Sequence, residues 1–290
     1  MDRPDHVETF NEYRNLLFSI AYRMLGSAMD AEDMVQESYL NWGRVTTRQV
    51  ESPKSYLTAI VTRLCIDHLR SAKVRREEYM GPWLPEPILT DHSPDTVALA
   101  ESLSLAFLVV LETLSPIERA VFLLREVFEY DYDEIARIVD KSEVNCRQMV
   151  KRAKEHITTR RPRFETSVEQ QRAMLMKFGE VCMTGNMEGL LALLADDIVE
   201  YSDGGGKVSA AIHPVKGATN VARLFISLVT KKLPPNHSAQ MLMVNGQPAA
   251  VNYSGDQPYS VILLDSVDGR IQTIYNILNP EKLKCIPPLH

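Results

Sequence analysis

The stretch DYDEIARIVDKSEVNCRQMVKRAKEHI, residues 131–157, decides how the rest of this 290-residue chain is read. Asp131 with a carboxylate three residues on, Glu134, is a helix start signal and predicts a short helix over 132–139. Asp140-Lys141-Ser142 then interrupts the pattern, and Ser142 can cap a second helix of about four turns. On that helix Cys146, Val150, Ala153 and Ile157 share one face, at spacings of four, three and four. Arg147, Lys151 and Lys154 share the opposite face, with Gln148 and Arg152 beside them. A helix-turn-helix of this kind packs through one side and offers the other to phosphates and major-groove base edges. A solvated, Lys/Arg-rich helix on any globular domain has the same pattern, so its surroundings must decide.

The net charge of −6 hides a strongly uneven distribution. Residues 141–163 carry eight Lys/Arg against two acids, and residues 63–76 carry five against one. Between them, residues 81–140 carry three basic residues against twelve acids. Two basic patches on an acidic chain fit a protein that touches DNA in two places and binds it poorly unaided. The opening Met1-Asp2-Arg3-Pro4-Asp5 leads into an amphipathic helix rather than a signal peptide. The most apolar run, Leu103–Leu111, is too short to span a membrane and ends at Glu112. Cys65, Cys146, Cys182 and Cys285 form no C-x-x-C pair, which fits a reducing cytoplasm without a disulfide framework. Cys65 and His68 lie one helical turn apart, but no second ligand pair completes a metal site, so they read as structural.

Residues 5–78 read as three or four helices. Phe10, Tyr13, Leu17, Ile20, Ala21 and Met24 form one apolar stripe that Gly26 stops, and Ser27-Ala28-Met29-Asp30 opens the next helix as a capping box. That helix carries Met34, Val35, Tyr39 and Trp42 inward and Asp30, Glu32, Asp33 and Glu37 outward. After a polar loop, Gly43–Ser55, a long helix runs from about Tyr56 to Glu78; its first half is apolar and its second half carries Arg63, Arg70, Lys73, Arg75 and Arg76. Residues 79–96, with Pro82, Pro85, Pro87 and Pro94, read as a linker whose Trp83 between prolines is expected to dock on something. Residues 97–163 form a second helical segment, in which Ser115-Pro116-Ile117-Glu118 is another start signal. Beyond Phe164 the pattern changes. Two helices, about 168–183 and 186–195, precede period-two strands at 198–202, 207–212, 238–244, 249–254, 259–266 and 270–278, with a further helix at 217–229. Asp203-Gly204-Gly205-Gly206, Gly246-Gln247-Pro248 and Asp268-Gly269 are the turns between them. This order predicts an α+β domain with one curved, mostly antiparallel sheet.

Over essentially its whole length the chain resembles a known family. Asp30-Ala31-Glu32-Asp33-Met34-Val35-Gln36-Glu37 is similar to the helix with which bacterial extracytoplasmic-function sigma factors grip core RNA polymerase. The helix ending in Ile66-Asp67-His68-Leu69-Arg70 resembles their −10 element reader, and the helix-turn-helix resembles their −35 reader. The C-terminal segment resembles a SnoaL-like domain, the cone-shaped fold shared with ketosteroid isomerase. Three strings in order, Trp83-Leu84-Pro85-Glu86-Pro87, Asp203-Gly204-Gly205-Gly206-Lys207 and Asn279-Pro280-Glu281-Lys282-Leu283, point to the sigma-J-like subgroup, which carries this domain in place of a separate anti-sigma protein. Two features depart from the family pattern. Ser142-Glu143-Val144-Asn145-Cys146 stands where the wider family has Pro-x-x-Thr-Val, and Glu281 stands where Asp is usual.

The resemblance implies a multidomain protein: a region-two domain (1–78), a linker (79–96), a region-four domain (97–163), both all-α, and a SnoaL-like regulatory domain (165–290). It implies core-polymerase binding by Asp30, Asp33, Gln36 and Glu37, −10 DNA binding by Arg63, Arg70, Lys73, Arg75 and Arg76, and −35 DNA binding by Arg147, Gln148, Lys151 and Arg152. The loop Arg44–Ser55 would capture an unstacked base during melting. In the C-terminal domain relatives of the fold use a buried carboxylate base; Asp196, Asp197 and Asp203 are available, yet no acid–base pair stands out. Asp-Gly-Gly-Gly-Lys lacks the spacing of a phosphate loop and reads as a tight hairpin. The expectation is therefore a regulatory clamp without catalytic residue, metal or cofactor, in which Gly204–Lys207 and Asn279–Leu283 contact the linker around Trp83–Pro87. Core RNA polymerase and promoter DNA are the expected partners, with a small-molecule ligand of the SnoaL-like pocket left open and no membrane. Two other classes remain compatible: a ligand-sensing helix-turn-helix regulator that binds operator DNA without polymerase, and a SnoaL-type isomerase or cyclase with a DNA-binding appendage.

Overall fold

The computed structural model describes residues 3–44, 50, 52–77, 79–90, 103–160 and 167–289, with side chains described for all of these except 3–5, 72–77 and 158–160. The chain divides into two compact units, one formed by residues 1–77 and 108–161, the other by 78–107 and 162–290. Among the described residues no helix is long and apolar enough to cross a membrane.

The first unit is all-helical. It contains α1 (Arg3–Leu25), α2 (Ala28–Trp42) and α3 (Pro53–Glu77), then, beyond the short α4 (Leu105–Leu111) at the boundary between the units, α5 (Pro116–Glu126), α6 (Tyr132–Val139) and α7 (Glu143–Arg160). The stripe on α1 buries Phe10, Leu17, Ile20, Ala21 and Met24 as its spacing requires. Gly26 stops the helix in the left-handed region (φ 68°), and Ser27 caps α2 by accepting from the Asp30 N–H at 3.1 Å. The buried face of α2 is Ala28, Ala31, Val35, Ser38 and Trp42; Val35 and Trp42 point inward as expected, whereas Met34 is half-buried and Tyr39 exposed. Small residues there let the helices approach closely, while Tyr39 lies at the rim, 40% exposed, its ring edge-on to Phe10 at 4.9 Å. The long α3 starts three residues before Tyr56, because Pro53 is well suited to a first helical turn.

The helices on either side of the linker pack within this one unit. Thr58 on α3 and Tyr130 share a buried hydrogen bond of 2.8 Å. Arg119 on α5, 3% exposed, donates to the Met24 carbonyl at the C-terminus of α1 (2.5 Å) and to Glu112 (2.7 Å). Burial pulls its guanidinium down to about 10, so it stays charged at neutral pH and matches the negative end of the α1 dipole. Arg63 on α3 donates to the carbonyls of Ile138 (2.8 Å) and Arg137 (2.9 Å) in the last turn of α6.

The second unit has α8 (Val168–Met183), α9 (Met187–Leu193), β1 (Leu194–Asp203), β2 (Val215–Lys216), α10 (Ala218–Lys232), β3 (His237–Val244), β4 (Gln247–Ser254), β5 (Gln257–Val267), β6 (Arg270–Ile277) and a 3₁₀ turn, Lys282–Cys285. The six strands lie in the order β2-β1-β6-β5-β4-β3, antiparallel throughout except where β1 runs parallel to β6. The three helices cover one face of this curved sheet, sharing a core that includes Phe178, Val221, Phe225, Ile198, Leu264 and Ile274. This is the α+β cone that the SnoaL-like resemblance implies.

Two local expectations are corrected. Residues 207–212 are not a strand: the N–H groups of Lys207 and Val208 turn back to the Gly204 carbonyl, so β1 finds its antiparallel partner only at Val215–Lys216. The β3–β4 turn is Asn245-Gly246, both in the left-handed region (φ 52° and 76°), while Gln247 and Pro248 already belong to β4.

Alternation along β1 places Glu200 fully buried on the helix-covered face, with Ser202 donating to one of its oxygens. Burial pushes this carboxyl up to about 7. A folded-state value raised above the unfolded one means that stability is full at low pH and is lost as pH rises between about 4.5 and 7. Glu200→Gln should therefore flatten the fall in melting temperature between pH 5 and 8 and gain up to about 3 kcal/mol at pH 8, which thermal denaturation across pH will measure.

Candidate nucleic-acid interface and linker clamp

The α6–α7 pair has the two-faced character its spacing predicts. Cys146, Val150, Ala153 and Ile157 are buried, and Ser142 Oγ caps α7 by accepting from the Asn145 N–H at 3.3 Å. Asp140 turns the chain between the helices in the left-handed region (φ 53°). Asp131 occupies the cap position of α6 without a capping bond; its carboxylate faces Arg125 at 3.4 Å instead. On the outer face Gln148 and Lys151 are exposed. Arg147 stacks over the Tyr132 ring at 4.2 Å, Arg152 lies 3.7 Å from Glu118, and Lys154 pairs with Glu126 at 2.6 Å. These exposed pairs are weak, so the guanidinium and ammonium groups are pre-positioned at little cost to later rearrangement.

On α2, Asp33, Gln36 and Glu37 are exposed, and with Tyr39 and Leu40 (55% exposed) they make an acidic surface edged by apolar side chains. Asp30 is partly engaged, 3.5 Å from His68 Nε2. Cys65, which pairs with His68 in sequence, is fully buried, and desolvation pushes its thiol far up. Of the expected −10 contacts, Arg70 is exposed beside Asp67 (3.1 Å), whereas the Arg63 guanidinium is taken up by α6. The side chains of Lys73, Arg75 and Arg76, and residues 45–49 and 51 of the expected loop, lie outside the described residues, while residues 53–55 already belong to α3.

The three strings that motivated a clamp meet in the second unit, around one buried carboxylate. Asp203, 0% exposed at the end of β1, accepts from the Tyr79 hydroxyl (2.5 Å), the Leu84 backbone N–H (2.8 Å) and the Lys282 ammonium (2.7 Å). Lys282 also donates to the Leu84 carbonyl, and it sits 4.1 Å from the Trp83 ring and 5.1 Å from the Tyr79 ring. Asn279 completes the site: its Nδ2 donates to the Tyr79 oxygen (2.9 Å), and its own N–H, with that of Leu278, bonds to the Asp203 carbonyl (2.8 Å each). Burial, then the bond to Asp203, holds the Tyr79 hydroxyl well above its usual range, so it remains a donor.

The glycine run has a steric cause. A Cβ on Gly205 would stand 2.3 Å from Asn279 Nδ2 and 2.8 Å from the Tyr79 hydroxyl, at a φ of +57°. Lys207 and Glu281 close the rim of the same site at 3.2 Å, both exposed. Further along, Leu84, Pro85, Glu86 and Pro87 are buried, and Leu89 forms a bridge to Val244. Asn245, in its turn, binds the Ile88 N–H through Oδ1 (3.1 Å) and the Leu103 carbonyl through Nδ2 (3.2 Å). The chain from Tyr79 to Thr90 is thus bonded at both ends to the sheet.

Sequence reasoning missed Tyr79, Asn245 and Glu200. Asn245-Gly246 was legible as a hairpin signal, and Tyr79 as the second aromatic beside Trp83; nothing in the spacing singled out Glu200. Asp196 and Asp197, considered as bases, are exposed, with Asp197 accepting from Gln272 at 2.8 Å, and Asp203 is committed to the clamp.

Comparison with known proteins agrees with this layout. The family models Sigma-70 region 2 and Sigma-70, region 4 match residues 9–75 and 104–157. The ECF RNA polymerase sigma factor SigJ of Mycobacterium tuberculosis is 32% identical, over 97% of this chain and 94% of that protein. The probable ECF RNA polymerase sigma factor SigI of the same species is 30% identical, over 98% and 97%. The crystal structure of Mycobacterium tuberculosis extracytoplasmic function sigma factor SigJ superposes with a TM-score of 0.77 at 30% identity, covering 96% of this chain and 98% of that one. With that identity sustained along nearly the full length of both chains, this protein belongs to the extracytoplasmic-function RNA polymerase sigma factors.

Proposed function

We propose that this sigma factor is regulated in cis by its own α+β domain, through the clamp that Asp203 and Lys282 place on residues 79–84. The observation that carries this reading is the burial of that ion pair (side chains 0% and 6% exposed), with Leu84 bonded to it through both its N–H and its carbonyl. The acidic surface of α2, with Asp33, Gln36 and Glu37 at its centre and Asp30 at its edge, docks on basic residues of core RNA polymerase, and Tyr39 and Leu40 supply its apolar part. At −35 DNA, Gln148 and Arg147 read base edges while Lys151 and Arg152 hold phosphates. At −10 DNA, Arg63 exchanges the α6 carbonyls for phosphates, alongside Arg70, Lys73, Arg75 and Arg76. The α+β domain serves as a regulator, not a catalyst, and the chain works where polymerase and promoters are, in the cytoplasm.

Three measurements test this. Asp33→Lys combined with Glu37→Lys should abolish co-elution with core polymerase on a sizing column; retained co-elution would remove the α2 assignment. Gln148→Ala should cost about 1–3 kcal/mol on promoter DNA and nothing on a scrambled duplex, and Lys151→Ala should weaken both alike; equal losses for Gln148→Ala would turn it into a phosphate contact. For the clamp, Asp203→Asn or Lys282→Met alone leaves a buried charge unpaired and should cost about 3–5 kcal/mol locally, whereas the double variant costs less. Protease cleavage within residues 79–90 should therefore rise most in the single variants, and promoter-dependent run-off transcription should depart from wild type in the same rank order. Cleavage that rises without any change in transcription would refute regulation through the clamp.

A further inference from the structure

The helices of the second unit and the sheet face beneath them enclose a cavity of about 320 Å³. Its walls are mainly apolar, with Phe178, Phe225, Leu228 and Ile262 among them. Most polar groups on the wall are already satisfied by one another: Asn252 donates to Ser260 at 2.8 Å, Tyr259 and His237 share a bond of 3.1 Å, and Lys232 reaches Ser209 at 3.3 Å. Asn276 differs. It lines the cavity, is 3% exposed, and its Oδ1 has no hydrogen-bond partner among the described residues. Across the β1–β6 pairing Asn276 faces Ser202, and Glu200, two residues before Ser202 on the same sheet face, also has a buried oxygen, Oε2, without a partner among the described residues. Buried acceptors are nearly always bonded, and an orphaned oxygen on Asn276 at the wall of an apolar cavity calls for a donor entering it.

We propose that this cavity is a binding site for a neutral, two- or three-ring apolar molecule bearing a hydroxyl group, whose O–H donates to Asn276 Oδ1. The volume lies at the small end of ligand sites, which limits the ligand to a few fused rings. The apolar walls and the acceptor oxygen of Asn276 together disfavour an anion at the polar end.

The site and the clamp share backbone. Leu278 lines the cavity, while its N–H and that of Asn279 are bonded to the Asp203 carbonyl. Occupancy therefore presses on the Leu278–Asn279 segment, whose N–H groups hold the backbone of Asp203. This coupling, unlike the binding itself, rests on the regulatory reading of the clamp.

The test is titration of the full chain with 2-naphthol, naphthalene and 2-naphthoate, followed by calorimetry or ligand fluorescence. We expect saturable one-site binding of 2-naphthol, about tenfold tighter than naphthalene for one added hydrogen bond, with 2-naphthoate weaker than both. Asn276→Leu should lower 2-naphthol to the affinity of naphthalene while naphthalene still binds, which also reports that the variant is folded. Asn276→Ala gives the same comparison with no added bulk, and Ala250→Phe, which fills the cavity, should abolish binding of both. Absence of saturable 2-naphthol binding, an unchanged preference in the Asn276 variants, or tighter binding of 2-naphthoate would overturn the proposal. Saturating 2-naphthol should change protease cleavage within residues 79–90 at least threefold. Binding without that change would refute the coupling alone, and Asp203→Asn cleaved like wild type would locate the failure in the clamp reading, not in the site.

Discussion

A carboxylate buried away from water must be matched by donors, and at the end of β1 every donor available to Asp203 comes from a segment distant in sequence: Tyr79 and Leu84 from the linker, Lys282 from the C-terminal turn. The charge of Lys282 is in turn balanced by that carboxylate, by the Leu84 carbonyl and by the faces of Trp83 and Tyr79. Removing any one member leaves the others unsatisfied, and for this reason the linker behaves as part of the α+β unit. The glycines at 204–206 and the amide of Asn279 follow from the same constraint, since the two loops meet too closely for a Cβ at Gly205.

In the helical unit a comparable role falls to buried or half-engaged arginines. Arg119 and Arg63 each end a helix of one segment with the cation of another, so helices from either side of the linker share satisfied carbonyls. In an extracytoplasmic-function sigma factor these contacts occupy groups that the proposed DNA-reading role would need, and Arg63 is the clearest case. Binding nucleic acid would then have to outbid hydrogen bonds made within the protein, which fits a chain whose overall charge is acidic.

The concave side of the sheet follows a different logic. Alternation along β1 and β6 puts Glu200, Ser202 and Asn276 on one face of the sheet, and of these Asn276 lines the mainly apolar cavity. The same alternation sends Asp203 to the opposite face, where the clamp lies.

The sequence by itself determined the helix-turn-helix, the capped helix starts at Ser27 and Ser115, the change from helical to strand period after Phe164, and the family, because each depends on local spacing or on strings of adjacent residues. It also indicated which strings would meet. It misassigned residues 207–212 as a strand and placed one turn late at Gly246-Gln247-Pro248, because whether a segment joins a ladder depends on partners remote in the chain. Only the tertiary structure decided that Asp203, not the glycines, is the centre of the clamp, that Tyr79 and Asn245 belong to it, and that Glu200 and Asn276 line up on one face. Those facts depend on strand register and on burial, which arise when segments some two hundred residues apart come within hydrogen-bonding distance.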